Sequence, residues 1–251
     1  MTEKRKQLIA LILIAVIVLG SLGSYVVMHY VNGQADPDQV EAVYQSTKSA
    51  HVVEDADPYL TQVDFASLQK VNSDIYAWIK VPGTDVDYPV LQSTTEDDDY
   101  YLHTTMDKKH GLPGSIYTEK YNAQDFTDPV TIIYGHNMKN GTMFTSLHRY
   151  EEQSFFDEHP YIYIYLPHAV YKYAIFSAVT FDDRYILGNY NFLDPDDFNS
   201  YISEISDSAL GFVRDDLSVM PGNQVITLST CLSNAPDKRY LVNAVLIETY
   251  Q

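Results

Sequence analysis

The chain's chemically capable residues concentrate late, in the stretch QVITLSTCLSNAPDKRYLVNAVLIE. It holds Cys231, the only cysteine among 251 residues. One cysteine forms no internal disulfide and cannot build a cysteine-rich zinc site. As a thiolate it is a nucleophile. Cys231 ends an apolar, strand-like run, and Arg239 opens the next after the seven residues LSNAPDK, whose Asn and Pro suit a turn. If those strands pair antiparallel, the cysteine and the arginine face each other. A neighbouring cation favours the thiolate, and a guanidinium can equally hydrogen-bond a developing oxyanion. A buried cysteine beside a surface arginine fits the same stretch.

A thiol nucleophile needs a proton partner. Of the eight histidines, His29 borders an apolar N-terminal segment and His51 lies in a polar stretch. His103, His110, His148, His159 and His168 sit in polar or turn-like contexts. His136 differs, because it follows the apolar strand VTIIYG, and Gly135 is predicted to allow a sharp turn before it. A histidine ending a core strand can be held at a barrel rim; the alternative is a solvent-exposed loop histidine. No HExxH, GxSxG, P-loop or GxGxxG pattern occurs. The order His, Cys, Arg, with the cysteine ending a strand, disfavours a papain-like arrangement.

The elements that would hold these residues are mostly strands. Twenty-two tyrosines favour pleated, half-buried surfaces. The segment VDFASLQKVNSDIYAWIKVPG predicts a helix ending near Asn72, a strand through Trp78 and Ile79, and a Pro82-Gly83 turn. VDYPVLQ, GSIYTE, PVTIIYGH, YIYIYL and YKYAIFSAVTF follow as short strands, with Tyr161, Tyr163 and Tyr165 on one face by alternation. Asp194 before Pro195 caps a helix over 195–205. The last two strands are expected over about 224–231 and 239–248. No internal repeat is present. Many short strands with a few inserted helices predict a closed or nearly closed β-barrel.

The N-terminus reads differently. Leu8 to Val31 carries no formal charge, and 24 helical residues span about 36 Å, enough for a roughly 30 Å hydrocarbon core. Lys4, Arg5 and Lys6 precede it, so the positive-inside rule predicts a cytoplasmic tail (1–7), a single-pass signal anchor (8–31) and an extracytoplasmic remainder. A cleaved signal peptide is the rival, with a weak candidate site over 20–24. Residues 32–58 are expected to form a polar, partly helical stalk, with Asp36 and Pro37 starting a helix, and the compact domain to run over 59–251. The chain has a formal net charge of −18, and beyond residue 31 it holds 13 basic against 33 acidic residues. That balance argues against nucleic acid as a partner. The acidic run Glu96 to Asp99 lacks the spacing of a calcium loop and is expected to be a solvated loop.

At these residues the chain resembles a known family. TLSTC, Thr227 to Cys231, is similar to the sortase signature TLxTC, and Arg239 falls where sortases carry their essential arginine. YGHNMKNGTMFTSLHRYEEQSFFDEHPYIYIY resembles the histidine region of class B sortases, and NSDIYAWIKVPGTDVDYPVLQ the family's first barrel strands. The resemblance covers roughly Tyr59 to the C-terminus. It implies a mainly β fold, an eight-stranded barrel with an N-terminal helix and an extra helix before the cysteine strand. It also implies a transpeptidase acting on a C-terminal sorting signal of a secreted protein through a thioacyl-enzyme, with a cell-wall precursor amine as acceptor. A pilus-polymerising sortase using a pilin lysine, or a non-catalytic surface-binding module, are the alternatives. By motif match, Cys231 is the nucleophile, His136 the general acid/base and Arg239 the substrate and oxyanion ligand. Ser229 and the backbone N–H of Leu232 are implied substrate contacts. No metal or organic cofactor is implied.

Overall fold

The computed structural model describes residues 35–251; the segment read as a membrane anchor lies outside the described residues. The strands are β1 (Val52–Val53), β2 (Gln62–Val63), β3 (Ile75–Lys80), β4 (Asp87–Leu91), β5 (Ile116–Tyr117), β6 (Val130–Tyr134), β7 (Tyr161–Leu166), β8 (Ala169–Asp182), β9 (Gly211–Val213), β10 (Val225–Leu232) and β11 (Ala235–Tyr250). The helices are α1 (Pro37–His51), α2 (Phe65–Val71), α3 (Gln153–Glu158), α4 (Ile186–Asn189) and α5 (Pro195–Ile205). Among the described residues no helix is long and apolar enough to cross a membrane.

Eight strands close a barrel in the order β11-β10-β6-β5-β4-β3-β7-β8, and β8 pairs again with β11. The short β9 lies beside β8. Most neighbours are antiparallel, but β4–β5 and β6–β10 are parallel. Closure removes the unpaired edges of an open sheet. Inside, Ile79, Val90, Ile116, Ile133, Ile164, Ile175, Leu228 and Val242 are fully buried. Fully burying one such aliphatic side chain is worth about 1.5–3 kcal/mol.

The outer face is covered in two places. α5 begins at Asp194, whose side chain accepts from the Asp196 N–H at 2.8 Å, and buries Phe198, Tyr201, Ile202 and Ile205 against β6, β8, β10 and β11. This is the helix expected before the cysteine strand. α1 covers a second face, capped by Asp36 with Pro37 in its first turn. It was expected in a stalk, yet it packs on the barrel: Val40 and Tyr44 are buried, and the Tyr44 hydroxyl donates to the Gly114 carbonyl. Lys48 of α1 pairs with Asp87 of β4 and with Glu54. The compact domain therefore starts by Pro37, not near Tyr59. The apolar spacing Val40–Tyr44 is one helical turn and needs a surface to cover.

Tyr161, Tyr163 and Tyr165 do share a face, and it is graded from 37% exposure at Tyr161 to 2% at Tyr165. The segment between β1 and α2 covers it, with the Tyr59 and Tyr163 rings edge to face at 6.1 Å.

Candidate active site

Cys231 and Arg239 are brought together by register. β10 and β11 pair antiparallel with Cys231 opposite Arg239. LSNAPDK is not an open loop: both strands run on to Leu232 and Ala235, which pair across the two-residue turn Ser233-Asn234. A register shift between Cys231 and Leu232 absorbs the extra residues of the β11 side. Bulges of this kind interrupt the ladder and re-aim side chains. Cys231 is exposed, so the buried-cysteine reading does not hold.

The other flank of Cys231 is β6. Its parallel pairing runs Val225↔Val130 to Ser229↔Tyr134. Continued by two residues, that register sets His136 beside Cys231. Three adjacent strands, β6, β10 and β11, thus carry His136, Cys231 and Arg239 at one level of the barrel rim. The Gly135 N–H donates to the Ser229 carbonyl at 3.1 Å, and the Phe144 N–H to the His136 carbonyl at 2.9 Å. Gly135 has a reason other than a sharp turn. A Cβ there would lie 2.5 Å from Ile116 Cδ1 and 2.6 Å from the Phe144 ring, so the strand end sits too close to the core for any side chain.

His136 Nε2 lies 2.8 Å from the Leu102 carbonyl. A carbonyl only accepts, so Nε2 carries the hydrogen, and Nδ1 is the nitrogen left to gain and lose a proton. Burial holds the His136 pKa below the ordinary value; the Leu102 bond opposes this, and His103, with ring centroids 6.1 Å apart, adds to it. Arg239 Nη1 donates to the carbonyls of Pro236 and Lys238 at 3.0 and 2.9 Å. These bonds use Nη1 and leave Nε and Nη2 as further donors of the guanidinium.

A cavity of about 360 Å³ opens over this rim and is lined by His136, Ser229, Thr230, Cys231 and Arg239. Its far wall holds Leu102, Tyr117, Tyr134, Tyr185 and Ile186, with the carboxylates of Asp99, Glu119 and Asp183. Glu119 is buried and accepts from the Tyr185 hydroxyl at 2.6 Å; burial raises its pKa. An apolar, aromatic cleft with a few convergent polar groups has the make-up of a ligand site. Ser229 lines this cavity. Leu232 does not; it lines a separate cavity on the other side of the hairpin. The acidic run is folded back: Lys120 donates its backbone N–H to Asp98 and its Nζ to the Glu96 carbonyl. Among the described residues no three His, Cys, Asp or Glu side chains converge as a metal site.

Two features escaped the sequence. Leu102 holds His136 through a carbonyl, which no side-chain pattern announces. His148, read as one of several polar-context histidines, belongs to a network behind Cys231. Its visible signal was the i,i+3 spacing to Glu151.

A strand-end thiol, a histidine and an arginine on adjacent strands of a closed barrel define a cysteine acyl-transfer enzyme. The comparisons carry this to a family. The sortase domain model matches residues 79–247. Sortase B of Listeria monocytogenes is 35% identical over 169 residues, 67% of each chain, and sortase B of Staphylococcus aureus is 32% identical over 99% of each. Among solved structures, a Bacillus anthracis protein similar to sortase B superposes with a TM-score of 0.71 at 28% identity, covering 86% of this chain and 99% of that one. Clostridium perfringens sortase B gives 0.66 at 30% identity over 73% and 99%. The chain belongs to the sortase family, in its class B, and is a cysteine transpeptidase.

Proposed function

We propose that this sortase is a membrane-anchored, wall-anchoring enzyme. It cleaves a C-terminal sorting signal of secreted proteins and joins the new acyl end to a cell-wall precursor amine. The observation that carries the chemistry is the three-strand rim, with Cys231 between His136 and Arg239 over one peptide-sized cavity.

The Cys231 thiolate attacks the scissile carbonyl carbon, and a C–S bond forms as the carbonyl oxygen becomes an oxyanion. Free donors of Arg239 stabilise that charge. The backbone N–H of Leu232, the residue after the nucleophile, is a second donor; it belongs to the peptide at which the pairing shifts from Cys231–Arg239 to Leu232–Ala235. Collapse breaks the C–N bond, and the leaving amine takes its proton from His136 Nδ1. An incoming amine attacks the thioacyl carbon, gives its proton back to His136, and expels the thiolate. Ser229, on the Cys231 face of the same strand, contacts the substrate. Arrival of both substrates at the outer membrane face agrees with the charge pattern around 8–31.

The test is ligation. Full-length protein in detergent is given a sorting-signal peptide with a stem-peptide amine or a pilin-type lysine peptide. The expected result is a new amide with the stem amine in excess over hydrolysis. Ligation to the lysine peptide alone would move the reading to pilus assembly. Membrane anchoring is tested by fractionation: the full chain should pellet with membranes, and a chain lacking residues 1–34 should not.

A further inference from the structure

Behind the cysteine strand the sheet is completed by side chains. The last β6–β10 bond is the Gly135 N–H to the Ser229 carbonyl. Strand alternation turns the Cys231 carbonyl to the same side two residues on. A continued β6 would meet it with the Asn137 backbone N–H. β6 has ended at Tyr134, and the Asn137 side chain takes over: its Nδ2 donates to the Cys231 carbonyl at 3.0 Å.

Asn137 is itself held. Its Nδ2 lies 3.1 Å from Ser233 Oγ and 3.0 Å from His148 Nε2. His148 Nε2 is 3.2 Å from the Cys231 carbonyl, and its Nδ1 is 2.6 Å from Glu151 Oε1. The His148 ring stacks on Tyr240, next to Arg239, at 5.1 Å and 23°. Proton bookkeeping gives one robust donor. A carboxylate only accepts, so Nδ1–H goes to Glu151. In the neutral ring Nε2 then accepts one Asn137 hydrogen while the other serves Cys231; in the charged ring Nε2–H donates to Cys231 as well. Nδ2 has two hydrogens for three acceptors, so in the neutral ring Ser233 Oγ, the longest contact, gives way, and Asn137 donates to the Cys231 carbonyl in both states. These groups line a cavity of about 420 Å³, distinct from the one that holds Cys231, and Asn137, His148 and Glu151 are absent from the lining of the latter.

We infer that Asn137, steadied by the His148–Glu151 pair, is a positioning residue for acyl transfer. It fixes and polarises the Cys231–Leu232 peptide, whose N–H is the proposed second oxyanion donor; the inference rests on that reading of the reaction. A hydrogen bond to the carbonyl of a peptide strengthens the same peptide's N–H as a donor. It also sets the direction of that N–H, because the unit is planar. The network therefore acts on the transition state, without touching the thiol or the bound peptide.

The test uses the full chain in detergent and four readouts: kcat and KM for sorting-signal peptide cleavage, the alkylation rate of Cys231 by iodoacetamide, and thermal stability. Alkylation reads the thiol and needs no oxyanion donor. Asn137→Ala should lower kcat about 10- to 100-fold, less than the roughly 10²–10³-fold of a donor lost outright, because the N–H is weakened and not removed. KM, alkylation and melting temperature should stay within about twofold or a few degrees of wild type. Asn137→Asp keeps the shape, removes the donor, and should lose as much; it serves if the alanine variant fails to fold. Glu151→Gln, which can still accept from Nδ1, should retain more activity than Glu151→Ala. Unchanged kcat in Asn137→Asp overturns the inference, and so does alkylation falling in step with kcat. A wild-type chain that forms no thioacyl adduct contradicts the proposed reaction itself, which separates the two failures.

Discussion

At the scale of single residues, the site depends on donors and protons that cannot be exchanged for near relatives. Arg239 uses Nη1 on two carbonyls and keeps further donors for an oxyanion. A lysine offers one point charge and cannot do both. Arg239→Lys should lower kcat/KM about 10²–10³-fold, read by peptide cleavage. His136 makes a second prediction. Its folded pKa lies below the ordinary 6.5, chiefly through burial. As pH falls through 6.5 the unfolded chain binds its proton first, so this contribution to stability is complete above 6.5 and is lost on going toward the lower folded value. Urea unfolding at pH 7 and 5 should show a smaller loss in His136→Gln than in wild type. An NMR titration should put the His136 midpoint below 6.5. Cys231 and His136 were legible from their places at the ends of apolar runs, and Arg239 from its spacing to Cys231, although its strand opens four residues earlier, at Ala235. Asn137 and Leu102 were not, because each acts through a main-chain carbonyl whose direction depends on pairing far away in sequence.

At the scale of elements, the rim is held by a buried polar chain crossing four of them. The Thr227 hydroxyl on β10 donates to Asn243 Oδ1 on β11 at 2.8 Å, and Asn243 Nδ2 donates to Ser177 Oγ on β8 at 2.9 Å. With its one hydrogen spent, Thr227 must accept from the Tyr201 hydroxyl on α5, 2.8 Å away. All four residues are fully buried. Asn243→Ala takes the acceptor from the Thr227 hydroxyl, which keeps only Tyr201, and the donor from Ser177 Oγ, and should cost about 2–3 kcal/mol. Tyr201→Phe removes only one donor and should cost about 1 kcal/mol. Denaturant unfolding checks both. α5 was legible to the residue, since Asp-Pro caps and apolar spacing are local signals. The β6–β10 parallel pairing was not. Nearly a hundred residues separate the partners, and both strands are buried on both faces over most of their length, so no alternation of buried and exposed residues fixes which neighbours they take.

At the scale of the whole molecule, the barrel, its two helical covers and its acidic surface form one unit that α1 extends toward the N-terminus. Lys48, Lys80, Glu54 and Asp87 pin that helix to β3 and β4. The closed eight-strand barrel was legible as a class from the number and length of strands. The docking of α1 was not, since its polar composition read as a stalk while only Val40, Tyr44 and Thr47 face inward. The central claim is that one thiol carries the acyl group between two partners. It is tested most directly by intact-protein mass spectrometry of the full chain mixed with a sorting-signal peptide, beside the Cys231→Ala variant. The account predicts a hydroxylamine-sensitive acyl adduct on wild type and none on Cys231→Ala. An adduct that persists in the variant, or peptide cleavage without the cysteine, would contradict it.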